Sequence, residues 1–255
     1  MLIIDSSRNS AKMLAEIVRS LGASEFYVEP DGEAAWDRLS LFDPNLIFCE
    51  YSESKTSGTG FVRRLRRSNS RSRKVPVVMM ATGVTKTMLD EARDTGADEF
   101  MLKPYARRDV ERRAAAVLLN ARPWIEAVDY IGPDRRRFNS SEYKGARRRK
   151  ADNKTPVAGL EQAVRILVSS VGKLEEDRSQ ALRSILTQLE VIVPAMRAIP
   201  DPKIKEALSM IISELKTSQA TQSILEPFAA ILADHLGIDT SPQEKPSPPQ
   251  AAKSA

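Results

Sequence analysis

Four residues carry groups that could act together in this chain: Asp5, Glu50, Thr82 and Lys103. Each stands at or just past the end of a short apolar run: Met1-Leu-Ile-Ile4, Leu46-Ile-Phe-Cys49, Val77-Val-Met-Met-Ala81 and Phe100-Met-Leu102. Runs like these read as strands buried on both faces of a parallel sheet. Helix-length amphipathic segments lie between them, so the order strand, helix, strand, helix predicts a doubly wound sheet with its site outside the strand ends. Two carboxylates, a hydroxyl and an ammonium would converge there, able to bind ions or to pair with one another.

The ordered set resembles the receiver domain of two-component response regulators over residues 1–120. Asp5 fits the first acid of that family's acid pair, Glu50 the phosphoacceptor position, Thr82 the switch hydroxyl and Lys103-Pro104 the Lys-Pro pair. Phe100 stands at the aromatic switch position, Gly96-Ala-Asp98 matches the family's turn, and Gly58 falls where its loop glycine lies. The resemblance implies a five-stranded, flavodoxin-like parallel sheet and Mg²⁺ held by the acids. It also implies an output face that changes when the residues at Thr82 and Phe100 move together.

Three departures alter that expectation. Ser6 stands where the second acid of the pair would be, and a neutral hydroxyl is a poor substitute because Mg²⁺ favours carboxylate oxygens in octahedral geometry. Glu50 is one methylene longer than the expected Asp, and phosphoryl transfer depends on positioning and metal neutralisation. Phe100 lacks the hydroxyl that a tyrosine would use to report its rotamer. The expectation is therefore a phosphate-independent regulator with Glu50 paired to Lys103, and with any Mg²⁺ site at Asp5 and Glu50 weakened.

With 255 residues, 42% hydrophobic and 29% charged, the chain suits a soluble globular protein of more than one element group. No run approaches the roughly 18 apolar residues of a membrane span, and the first strand begins at Met1, which predicts no signal peptide and a cytoplasmic location. The single Cys49 excludes an internal disulfide and is expected in the core. The single His235 excludes a multi-histidine metal site, and its place before Gly237 reads as the end of a helix.

Arg107 to Leu119 predicts the last helix of the first domain, after which Pro123 interrupts the pattern. Residues 121–155 lack sustained periodicity and read as a basic linker. Apolar stripes then predict four helices over 156–238, near Val157–Lys173, Glu175–Met196, Ile204–Leu215 and Thr221–Leu236, with Pro227 expected in the first turns of the last. Such helices predict an all-α bundle, closed within one chain or completed by a second. The proline-rich stretch 239–255 is expected to be disordered. No internal repeat stands out.

Arginines cluster in Arg63–Lys74, in Arg135, Arg136 and Arg137, and in Arg147, Arg148 and Arg149. Planar guanidinium groups suit phosphate oxygens, so the two linker clusters are candidate anion or nucleotide sites, with Tyr130, Phe138 and Tyr143 available for stacking. The bland alternative is a solvated linker. No basic recognition helix is apparent, which argues against DNA, and no catalytic constellation suggests an enzyme. The leading expectation is an atypical bacterial response regulator acting through a signalling protein partner, with homodimerisation through the helical domain also open. A working phosphorelay receiver and a cyclic di-guanylate effector remain as alternatives.

Overall fold

The structure, a computed structural model, describes residues 1–52, 58–135, 156–197, 201–217 and 220–239. The chain divides into two compact units, Met1–Lys150 and Ala151–Ala255.

In the first unit β1 (Leu2–Ile4), β2 (Tyr27–Glu29), β3 (Ile47–Glu50), β4 (Val77–Ala81) and β5 (Glu99–Leu102) form one parallel sheet in the order β2-β1-β3-β4-β5. Interleaved with them are α1 (Arg8–Ser20), α2 (Gly32–Leu39), α3 (Thr59–Arg67), α4 (Lys86–Asp94) and α5 (Arg107–Leu119). Register follows from alternation: Leu2, Ile4, Ile47, Cys49, Val77 and Met79 bury on one face with Phe100, while Ile3, Phe48, Val78, Met80 and Met101 bury on the other with residues of α1 and α5. Side chains start the helices: Ser7 caps α1, Asp31 caps α2 and Thr85 caps α4. This is the five-stranded, doubly wound arrangement expected from the apolar runs.

The stretch after α5 differs from expectation. Residues 121–135 do not form a bare linker: β6 (Trp124–Glu126) and β7 (Ile131–Pro133) pair antiparallel as a hairpin. Its side chains and backbone reach the start of β4 and β5, the end of the sheet opposite Glu50. Arg122 donates to the carbonyl oxygens of Ala97 (3.3 Å), Asp98 (2.5 Å) and Asp134 (2.9 Å). Arg73 donates to Glu126 (2.7 Å) and Arg67 to the carbonyl of Val128 (3.0 Å).

At the centre lies Arg66, 1% exposed. It donates to the carbonyls of Gly96 (2.9 Å), Arg73 (2.7 Å) and Val75 (2.8 Å) and to Asp98 (3.0 Å). Gly96 (φ 92°) and Gly132 (φ 155°) interlock beside it. A Cβ on Gly96 would lie 2.6 Å from the Ile131 carbonyl, and one on Gly132 would lie 2.8 Å from the Gly96 Cα.

The second unit contains α6 (Pro156–Val171), α7 (Arg178–Arg197), α8 (Pro202–Lys216) and α9 (Gln222–His235). Helix α6 packs on α7 and α9, α8 packs on α9, and α7 meets α8 more sparsely, so the bundle closes within one chain along three of its four seams. Val164, Leu167, Ile185, Ile192, Ile204, Ile211, Leu225 and Leu232 form its core, each buried at 1% exposure or less. One polar pair is enclosed there, Ser170 Oγ and Ser184 Oγ at 2.7 Å, with Ser170 also donating to the Ile166 carbonyl.

Asp201 caps α8 ahead of Pro202, and Gly237 (φ 62°) follows His235 as the C-cap reading requires. Pro227 lies inside α9, in its second turn, and Pro194 lies inside α7. Leu186, an apolar residue of α7, is 54% exposed. The residues expected to form a disordered tail fall, from Thr240 onward, outside the described residues.

Candidate functional site

Parallel strands aligned in register bring their C-terminal ends to one edge, and the residues just past those ends meet there. Asp5 follows β1 with its side chain fully enclosed. Its Oδ1 accepts from the Ser7 amide (2.9 Å), and its Oδ2 accepts from Ser10 Oγ (2.7 Å) and Lys103 Nζ (2.7 Å). Glu50 ends β3, and its two oxygens have separate partners. Oε1 accepts from Lys103 Nζ (2.7 Å), while Oε2 accepts from the amide (3.0 Å) and hydroxyl (2.6 Å) of Ser6.

Lys103 thus bridges both acids, and Ser6 holds the oxygen that Lys103 leaves. Burial works to raise the Glu50 pKa, but the bonds from Lys103 and Ser6 outweigh it and hold the carboxyl below its ordinary value. At Lys103 burial works downward, and the two carboxylates outweigh it, raising the pKa. Both groups are ionised at neutral pH.

The backbone around Glu50 allows no side chain at Gly58. That residue (φ 54°) precedes α3, and a Cβ there would lie 2.7 Å from the Glu50 carbonyl and clash with the Ser52 amide. Thr59 ties the same turn down, donating through its hydroxyl to the Ser52 carbonyl (3.0 Å). The burial that encloses this end of β3 pushes the neighbouring Cys49 thiol up to about 12, so it stays protonated.

Of the sequence-predicted residues, Asp5, Ser6, Glu50 and Lys103 come together. Thr82, after β4, is exposed and has no hydrogen-bond partner among the described residues. Phe100 lies within β5 at 3% exposure. Arg135, a candidate anion ligand, is engaged internally: its guanidinium lies 3.8 Å from the Tyr130 ring centre and 3.2 Å from Asp94. Arg136, Arg137, Arg147, Arg148 and Arg149 lie outside the described residues, as do Phe138 and Tyr143.

The donor set suits Mg²⁺ poorly. Asp5 and Glu50 already share the Lys103 ammonium, and Ser6 contributes no charge. Among the described residues no group of three or more His, Cys, Asp or Glu could hold a metal.

Sequence reasoning missed two features. Tyr51, next to Glu50, donates to Glu91 of α4 (2.6 Å), and Arg63 approaches the other oxygen of Glu91 (3.4 Å), so the end of β3 is tied to α4. The hairpin of β6 and β7 was missed as well, in a stretch that reads in the sequence as linker.

Residues 1–115 match the family described as the response regulator receiver domain. The chain is 30% identical over 121 residues to the two-component response regulator ORR5 of Oryza sativa subsp. japonica, covering 46% of this chain and 87% of that protein. It is 22% identical over 119 residues to the chemotaxis protein CheY1 of Helicobacter pylori, covering 46% of this chain and 95% of that one. Among solved structures, Vibrio cholerae chemotaxis protein CheY4 aligns with a TM-score of 0.43 at 21% identity, over 46% of this chain and 96% of that one. The family match ends before the hairpin and the helical unit.

Proposed function

Because the chain belongs to the response-regulator receiver family of two-component signalling, we propose that it is a regulator whose switch is held by an internal ion pair in place of a phosphoryl group, and that it acts by contact with a protein partner. The observation that carries this reading is Lys103 Nζ, 2.7 Å from both Asp5 Oδ2 and Glu50 Oε1. A phosphoacceptor needs a carboxylate oxygen free to attack in line, with a metal ion to neutralise the incoming charge. Here each oxygen of Glu50 is already hydrogen-bonded, and the positive charge at the site belongs to the chain itself.

Incubation of the full chain with acetyl phosphate and Mg²⁺, followed by intact mass measurement, tests the proposal. The expected result is unmodified protein. A stoichiometric phosphoryl adduct on Glu50 would sink it. The double variant Ser6→Asp, Glu50→Asp restores both acids and is expected to take up phosphate where the natural chain does not.

A further inference from the structure

Helices α7 and α8 leave the one loosely packed seam of the bundle, and a groove of about 480 Å³ opens along it. Val193, Met196, Leu208 and Ile212 supply its apolar lining, with Ser209 and Ser213 beside them. Its charged lining residues are Lys205 and Lys216, both exposed and neither in an ion pair among the described residues. The acids on the same helices, Glu190, Glu206 and Glu214, are not among the lining.

Lys205 and Lys216 lie near opposite ends of α8, eleven residues apart, which at the helical rise of 1.5 Å per residue spans roughly 16 Å, or three turns. A cleft between two helices, with apolar side chains and two serines between lysines at its ends, has the form that receives the apolar face of a third helix whose flanks are negative. A second copy of the chain is disfavoured as the occupant. Groove against groove would set lysines facing lysines, and like charges brought together are costly.

We propose that the α7–α8 groove of the helical unit is the docking surface for an acidic amphipathic helix of a protein partner, with Lys205 and Lys216 pairing to its carboxylates. The inference rests on the reading of this chain as a regulator that acts by protein contact. It is independent of whether Glu50 accepts phosphate, so the mass measurement and the binding measurement can fail separately.

The test is fluorescence anisotropy on the full-length protein with two labelled synthetic helices. Both carry leucines on one face; one has glutamates on its flanks and the other has lysines. The glutamate-flanked helix is expected to bind at least about tenfold more tightly, a difference of roughly 1.4 kcal/mol, and the double variant Lys205→Glu, Lys216→Glu is expected to reverse the preference. Both lysines are exposed, and unchanged circular dichroism of the variant will show that its fold is intact. Absence of binding by either helix, or equal binding of both, would overturn the proposal. So would sedimentation showing a dimer of the natural chain that Ile212→Glu converts to monomer, since the occupant would then be a second copy.

Discussion

The two ends of the receiver sheet are each organised around a cation, and they treat it in opposite ways. At the C-terminal ends of the strands Lys103 is held by two side-chain carboxylates, one of them 24% exposed. At the opposite end Arg66 is held by three backbone carbonyls and a single acid, Asp98, with almost no exposure. A point charge on a flexible stem suits the first setting, and a planar fork with several fixed donors suits the second.

The carboxyl groups record the same difference. Glu50 is held below its ordinary pKa because its hydrogen bonds outweigh burial, whereas burial dominates at Asp98 and Glu99 and holds both above theirs. One end is a polar constellation that solvent can still reach. The other is a structural joint.

The sharpest way to break this comparison is Arg66→Met. Removing the guanidinium takes a donor from three carbonyls and leaves the Asp98 carboxylate with the Val77 amide but without its cation, so the substitution is expected to cost about 3–5 kcal/mol in urea unfolding. A smaller cost than that of Lys103→Met would invert the comparison.

A lesser effect is expected for Tyr51→Phe, which removes the bond from the β3 end to Glu91 and should cost about 1 kcal/mol. Faster amide exchange confined to α4 would show that the bond restrains that helix, and exchange unchanged there would remove the proposed tie.

The smallest effect belongs to Glu50→Gln, about 1 kcal/mol or less because solvent screens the partly exposed pair. Its pH dependence is more informative than its size. The Glu50 pKa is lower folded than unfolded, so its contribution is present above the ordinary carboxyl value and is lost as pH falls through the folded one. The stability gap between the natural chain and Glu50→Gln should close in acid. Asp98 behaves in the opposite sense: the folded chain holds that proton longer, so its contribution declines as pH rises through the raised value. Matching acid profiles for Glu50→Gln and Asp98→Asn would show that the two ends do not differ as described.

Much of the first end was legible in the sequence because each reactive residue follows a run of buried strand residues, and parallel strands in register must bring such positions together. The pairing of Glu50 with Lys103 followed from opposite charges at the same edge of the sheet, at the ends of β3 and β5 with β4 between them. The hairpin was not legible on those grounds, since Trp124–Glu126 and Ile131–Pro133 are three residues each, too short to show a period. The arginines of α3 and the following turn stood out only as a basic cluster, yet Arg66, Arg67 and Arg73 spend donors on backbone carbonyls that no sequence pattern announces. In the bundle, helical stripes located the core, and the exposed Leu186 shows where one stripe leaves it.

The interlocked glycines give the receiver a boundary that matters to anyone building fusions from it. With Gly96 and Gly132 in backbone contact and Arg122 reaching the carbonyls before β5, a cut at residue 120 would sever a folded joint rather than a tether. A transplantable module of this receiver therefore runs at least through Arg135, and a new output grafted after that point would inherit the sheet with this joint intact.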